Sequence, residues 1–172
     1  MAEIAFEPVF TKEQRKRVAT LGKEIWNEHY GELLGAKQIE YMLKKFQSEE
    51  ALEEQEKHGY QYYLICIEGV AEGYIGIQPQ GKRLFLSKLY LRKQQRGQGI
   101  ARKALEMMTN VCHEKGLNAI YLTVNKQNDS KLVYDALGFK VISEEVTDIG
   151  QGFVMDDYIM KIPIKERKNI KK

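Results

Sequence analysis

The stretch with the clearest chemical potential runs from Leu84 to Leu105. An alternating apolar run, Leu84-Phe-Leu-Ser-Lys-Leu-Tyr-Leu91, breaks into Gln94-Gln-Arg-Gly97-Gln-Gly99 and then directly into an amphipathic segment. Glycines at such a junction let the backbone approach a ligand and turn N–H groups toward it, and the start of the helix favours negative charge. Between Glu72 and Glu106 the chain carries eight basic residues (Lys82, Arg83, Lys88, Arg92, Lys93, Arg96, Arg102 and Lys103) and no acid. A pyrophosphate is the natural guest of that charge and geometry. The plainer alternative is a glycine turn on a basic surface. No third glycine follows at dinucleotide-fold spacing, and no G-x-x-x-x-G-K-[ST] run is present.

A second candidate is Asp156. Along Val154, Asp156, Tyr158, Met160 and Ile162 every residue but the aspartate is apolar or aromatic, so strand phase places a carboxylate on a core-like face. Such a carboxylate needs a partner or a chemical task, or else caps the amides of a nearby loop. His29, His58 and His113 are far apart and share no ligand spacing with cysteine, so no metal site is expected. Cys66 falls in a buried-looking strand and Cys112 on the apolar face of a helix, where thiols are inert. There is no G-x-S-x-G or Cys-His signature for covalent catalysis.

These residues need elements to hold them. Ile4 to Phe10 reads as a strand, and Val18, Leu21 and Ile25 mark a helix from Lys12 to about Tyr30. Gly31 and Gly35 are expected to interrupt it, with a helix resuming from Ala36 to Phe46 and another beginning at the Ser48 cap. Tyr60 to Ile67 and Val70 to Ile77, joined by Glu68-Gly69, form a hairpin, and Arg83 to Leu91 extends it into a meander. Ile100, Ala104, Met108 and Val111 mark a helix from about Gly99 to Lys115, stopped by Gly116. A strand (Ala119 to Val124), a helix (Asp129 to Leu137) and two strands (Phe139 to Val146, Phe153 to Ile162) complete the chain. The class is mixed α/β: a central, mostly antiparallel sheet of six or seven strands with helices on both faces. Residues 1–164 are expected to form one domain and 165–172 a basic tail.

With 172 residues, 43% apolar and 30% charged, the chain can bury a sizeable core. A net charge of +3 argues against a nucleic-acid protein. The apolar runs fall short of a membrane span, no signal peptide is visible, and two cysteines make no disulfide framework. A cytoplasmic protein without membrane attachment is expected.

Leu89-Tyr-Leu91 followed by Gln94-Gln-Arg-Gly-Gln-Gly-Ile-Ala101 resembles the acetyl-CoA motif of the GNAT superfamily of N-acyltransferases. Val124-Asn-Lys-Gln-Asn-Asp-Ser-Lys-Leu-Val-Tyr134, continuing to Gly138-Phe139, resembles that family's next motif, and the Asp148 to Met160 segment is similar to its PaiA-like bacterial branch. The resemblance spans about Phe6 to Ile162. It implies that the Leu89-Tyr90-Leu91 backbone pairs with the pantetheine arm and that Arg96, Gly97, Gln98, Gly99, Ile100 and Ala101 hold the pyrophosphate. Asn128, Ser130 and Tyr134 would line the other side of the cofactor. Asn128 and Tyr134 stand six residues apart, where the family usually has seven.

Acetyl transfer to an amine requires a neutral amine, a stabilised oxyanion and a proton for the leaving thiolate. An amine of pKa ~10.4 is almost wholly protonated at pH 7, a penalty of roughly 4.6 kcal/mol, so a base is needed. Backbone N–H groups near Leu89 can meet the oxyanion, and Tyr134 can protonate the thiolate. Asp156 is one candidate base; Glu28 and His29, where acceptors bind in the resembled family, are its rivals. The sequence therefore reads as an acetyl-CoA-dependent N-acetyltransferase working by direct transfer in a ternary complex, without a metal. Eleven acids against four lysines from Glu24 to Glu72 favour a small cationic amine such as a polyamine, unless those glutamates are simply the wet face of a helix. The alternatives are a protein lysine or N-terminal acetyltransferase, or a non-catalytic acyl-CoA-binding regulator. A homodimer is compatible with each.

Overall fold

The computed structural model describes residues 2–166. Its elements follow in the order β1 (Ile4–Pro8), α1 (Lys12–Leu34), α2 (Ala36–Phe46), α3 (Glu49–Lys57), β2 (Gln61–Ile67), β3 (Val70–Gln80) and β4 (Arg83–Leu91). A short 3-10 turn, Lys93–Gln95, leads to α4 (Ile100–Lys115), β5 (Ala119–Asn125), α5 (Ser130–Leu137), β6 (Lys140–Gly150) and β7 (Phe153–Pro163). The strands form one seven-stranded, mostly antiparallel sheet in the order β1-β2-β3-β4-β5-β7-β6, flanked by helices. The chain separates into two compact units, residues 1–78 with 87–98, and residues 79–86 with 99–172.

In the first unit, α1 begins with a reciprocal cap: Thr11 accepts from the Gln14 N–H, and the Gln14 side chain accepts from the Thr11 N–H. The helix runs through Gly31 and stops only at Gly35, whose φ of 79° no ordinary side chain favours. Ser48 caps α3 by accepting from the Ala51 N–H. The Glu68-Gly69 turn takes positive φ at both residues, as a two-residue hairpin requires, and β2 and β3 pair antiparallel on either side of it. Val18, Leu21 and Ile25 of α1 and Leu52 of α3 bury against Tyr62, Leu64 and Tyr74. Gly73 is dictated by proximity: a Cβ there would lie 2.3 Å from the carbonyl oxygen of Tyr90.

In the second unit β5 pairs parallel with the first part of β4, Arg83 with Ala119 through Leu86 with Leu122. Four pairs complete this ladder, although both strands continue beyond it. The crossover is α4, which buries Ile100, Ala104, Met108 and Cys112 at helical spacing and ends at left-handed Gly116. β7 pairs antiparallel with β5 on one side and with the edge strand β6 on the other. The β6–β7 connection is tight, with Gly150, Gln151 and Gly152 all at positive φ (97°, 53° and 80°).

Candidate active site

The glycine loop takes the conformation its sequence demands. Gly97 and Gly99 have φ of 81° and 75°, and the space where each Cβ would sit is open to 4 Å. Gly99 is the N-cap of α4 and offers no side-chain cap, so the first N–H groups of the helix are left for a ligand or solvent. Arg96, Gly97, Gln98 and Gly99 are exposed, while Ile100 turns inward as the first buried residue of the helix. An anionic group can therefore approach the backbone without meeting a side chain, and the loop fits a pyrophosphate.

The stem of the loop is anchored within its own unit. Glu24 and Glu28, one helical turn apart on α1, hold consecutive residues: Glu24 pairs with the Arg92 guanidinium, and Glu28 accepts from the Lys93 N–H at 2.7 Å. Glu28, expected as a base, is thus bound to the stem. The His29 side chain lies outside the described residues. The basic run is also smaller than its sequence count. Arg83 lies over the Tyr121 ring at 4.2 Å, Arg92 is paired, and Lys88 is only 6% exposed. Lys82, Lys93, Arg96, Arg102 and Lys103 remain exposed.

Lys88 is the residue sequence reasoning missed. Its charge places it with the basic run, yet it falls in the buried phase of β4 after Leu84 and Leu86. Its Nζ donates to Gln55 Oε1 at 2.8 Å and to the Tyr62 hydroxyl, and lies 4.9 Å from the centre of the Tyr62 ring. Burial pulls its pKa down to about 7. Tyr62 in turn donates to Gln55 Oε1, and burial pushes its phenol far above the usual range. Beyond Lys88, Leu89, Tyr90 and Leu91 are half-buried, with the Tyr90 ring edge-on to Trp26 at 5.6 Å.

In the second unit Tyr134 is the buried residue of α5, edge-on to Phe139 at 5.6 Å. Asn128, also buried, accepts from the Ser130 N–H at 2.9 Å and so starts that helix. The expected core-like face at Asp156 is not what the structure places there. Val154 and Asp156 are exposed, and Asp156 pairs with Lys126 at 3.0 Å, a cation that Glu144 also holds. The buried carboxylate is its neighbour Asp157, at 5% exposure. β7 is covered at Asp157 and at Met160, so its burial does not follow simple alternation. Burial, with Asp156 and Glu145 nearby, pushes the Asp157 carboxyl up to about 6. Among the described residues no group of three or more histidines, cysteines or acids could hold a metal ion, and no helix is long and apolar enough to cross a membrane.

A mixed sheet with a parallel β4–β5 ladder, flanked by helices, defines the class of fold, and its glycine loop ahead of an uncapped helix start fits an anionic group. The family model for the acetyltransferase (GNAT) domain matches residues 31–158, and the chain belongs to that family as an acetyl-CoA-dependent N-acetyltransferase. The fold is similar to that of PaiA N-acetyltransferase from Thermoplasma acidophilum, solved with coenzyme A: TM-score 0.75, 22% identity, covering 95% of this chain and 99% of that one. It is also similar to a GCN5-related N-acetyltransferase from Rhodopseudomonas palustris (TM-score 0.78, 12% identity, 95% and 97% covered). A third similar structure is yncA from Salmonella typhimurium, with its cofactor acetyl-CoA (TM-score 0.63, 16% identity, 98% and 96% covered). The sequence matches none of the curated proteins.

Proposed function

We propose that this protein acetylates the primary amine of a small, multiply charged cationic acceptor, a polyamine being the favoured kind, by direct transfer in a ternary complex. The observation that carries the cofactor half is the loop: two left-handed glycines with open space beside them, immediately ahead of a helix start without a side-chain cap. Arg96 to Ala101 receive the pyrophosphate there, and the backbone of Leu89 and Leu91 receives the pantetheine arm. Transfer joins the acceptor nitrogen to the acetyl carbon and breaks the carbon–sulfur bond. Backbone N–H near Leu89 meets the oxyanion, and the Tyr134 hydroxyl gives the leaving thiolate its proton. Asn128 and Ser130 position the start of the helix that carries Tyr134.

For the acceptor, support comes from the acids of the second unit. Glu144, Glu145, Asp148, Asp156 and Asp157 all lie on the paired strands β6 and β7. The α3 glutamates speak less directly, since Glu50, Glu53 and Glu54 are the exposed face of one helix.

Thiol release from acetyl-CoA, measured over a panel of polyamines, monoamines, neutral amines and lysine peptides, tests the reading. Turnover is expected to be best with polyamines and to weaken as salt screens the acids. A preference for peptides would move the assignment to protein acetylation, and binding without turnover would make the chain a regulator. Gly99→Val is expected to abolish acetyl-CoA binding in calorimetry, because its side chain occupies the phosphate's approach. Tyr134→Phe is expected to bind acetyl-CoA normally and to lose turnover on the order of 10²-fold. Unchanged kcat would return Tyr134 to packing.

A further inference from the structure

We propose that Asp157 is the carboxylate that receives the acceptor: its Oδ1 takes the ammonium of a small alkylamine and then one of its protons, while Glu145 holds a second positive centre of the same molecule. This inference rests on the reading of the chain as an amine acetyltransferase.

Four polar or charged side chains are buried among the described residues: Gln47, Lys88, Asn128 and Asp157. Three have protein partners. Gln47 accepts from the Tyr74 hydroxyl, Lys88 donates to Gln55 and Tyr62, and Asn128 accepts from the Ser130 N–H. Asp157 differs from these three, because its Oδ1 is buried with no hydrogen-bond partner; Glu56 Oε1 shares that state, but the other oxygen of Glu56 is paired with the Arg15 guanidinium at 3.2 Å. Desolvating a carboxylate oxygen without a donor is costly, and such groups are explained by a function more readily than by packing.

The neighbours of Asp157 sharpen the point. Across the sheet it stands opposite Asn125 of β5 and Glu145 of β6. Asn125 directs its Oδ1 to the Gln127 N–H. Lys126, the residue after Asn125, is held by Glu144 and Asp156. Glu145 and Asp157 are therefore two carboxylates directly opposite each other on an antiparallel pair, an arrangement that like-charge repulsion disfavours. A shared cationic ligand removes the repulsion and fills the vacant acceptor position. Directly opposed Cα atoms are ~4.5–5.5 Å apart, a separation that a short alkyl chain between two amines can span.

The proton balance is simple. The ammonium gives one proton to Asp157 Oδ1, its nitrogen keeps the freed electron pair, and that pair forms the new bond to the acetyl carbon as the carbon–sulfur bond breaks. The leaving thiolate takes the Tyr134 proton, and the proton that the nitrogen sheds in becoming an amide returns to the Tyr134 oxygen through water. A carboxyl held near 6 by burial is a better base at neutral pH than one near 4. The charged groups around it are Glu145 on β6, its neighbour Asp156, and Lys126 at the end of β5, already neutralised by Asp156 and Glu144.

The test uses the full chain, with acetyl-CoA affinity by calorimetry and thiol release with spermidine and with n-butylamine as acceptors. Asp157→Asn is expected to keep acetyl-CoA affinity and to lose on the order of 10²–10³-fold in kcat/KM, together with the acidic limb of the pH profile near 6. Glu145→Gln is expected to raise KM several-fold for spermidine and much less for n-butylamine, while the acidic limb moves to lower pH with both acceptors because one of the charges that raise Asp157 is removed. The wild-type acidic limb is a measurement that needs no variant. An active wild type without that limb, or an Asp157→Asn enzyme that retains kcat/KM, makes Asp157 a buried neutral acid and overturns the proposal. Should the wild type bind acetyl-CoA yet acetylate no amine, the acetyltransferase reading itself fails, and the inference with it.

Discussion

Lys88 in the first unit and Asp157 in the second are the two buried charged side chains among the described residues, and the protein treats them in opposite ways. Lys88 itself is engaged on all sides: Gln55 Oε1 accepts from both Nζ and the Tyr62 hydroxyl, the Gln55 amide donates to the Phe46 carbonyl, and the Tyr60 and Tyr62 rings lie beside the cation. Around Asp157 an oxygen is left over and the facing residue is another acid. A buried charge that the fold satisfies is part of the fold. One that it leaves unsatisfied is an opening for something that arrives later.

The harshest way to break this contrast is to remove the acceptor that serves Lys88. Gln55→Leu leaves the ammonium and the Tyr62 hydroxyl without their shared oxygen, and a loss of about 2–3 kcal/mol in urea unfolding is expected. A midpoint unchanged by that substitution would show that Lys88 is not held as described. Lys88→Met tests the same cluster from the other side. Lys88 titrates near 7 in the folded chain and near 10.5 when unfolded, so its contribution is present above pH 10.5 and is lost as pH falls toward 7. The methionine variant is expected to lose that rise in stability between pH 7 and 10, and to gain about 1–2 kcal/mol at pH 6. The smallest effect is expected at Asp157. Its folded pKa is raised, so its contribution is present below pH ~4 and is lost as pH rises through 6. Asp157→Asn is therefore expected to match the wild type at pH 4 and to exceed it in Tm by about 2–4 °C at pH 8, roughly 1 kcal/mol after solvent screening. Added spermidine should narrow that gap by stabilising only the wild type.

Most of the fold was legible because local chemistry specified it. The Glu68-Gly69 turn, the Ser48 cap and the left-handed Gly97, Gly99 and Gly116 each need a particular residue type, and each was read from that need. The first helix runs past Gly31 because one interior glycine costs only about 1 kcal/mol, which the rest of a long helix offsets. The two buried charges were harder to read. Lys88 sat in plain alternation with Leu84 and Leu86, but its charge argued for the surface more loudly than its phase argued for the core. Asp156 and Asp157 differ by one position, and one position flips the face of a strand. Their surroundings gave no help: β6, which pairs β7 there, is an edge strand with register shifts at Val141/Ser143 and Asp148/Gly150, and its residues from Lys140 to Asp148 are all exposed. The glycine loop was found by its motif. The carboxylate on β7 was found only once its oxygens could be followed to their partners.

The turn at Gly150-Gln151-Gly152 has a consequence in time. Three successive residues in left-handed conformations bring β6 and β7 together with almost no intervening chain, so pairing can spread from the turn one residue at a time. Hairpins of this kind close in ~1–10 μs. The parallel ladder between β4 and β5 must instead wait until the whole of α4 has been laid down between its strands, which requires closing a much longer loop. The strand that carries Asp157 and the strand that carries Glu145 are thus expected to find each other early. The two carboxylates would then stand opposite one another well before the β4–β5 ladder is complete.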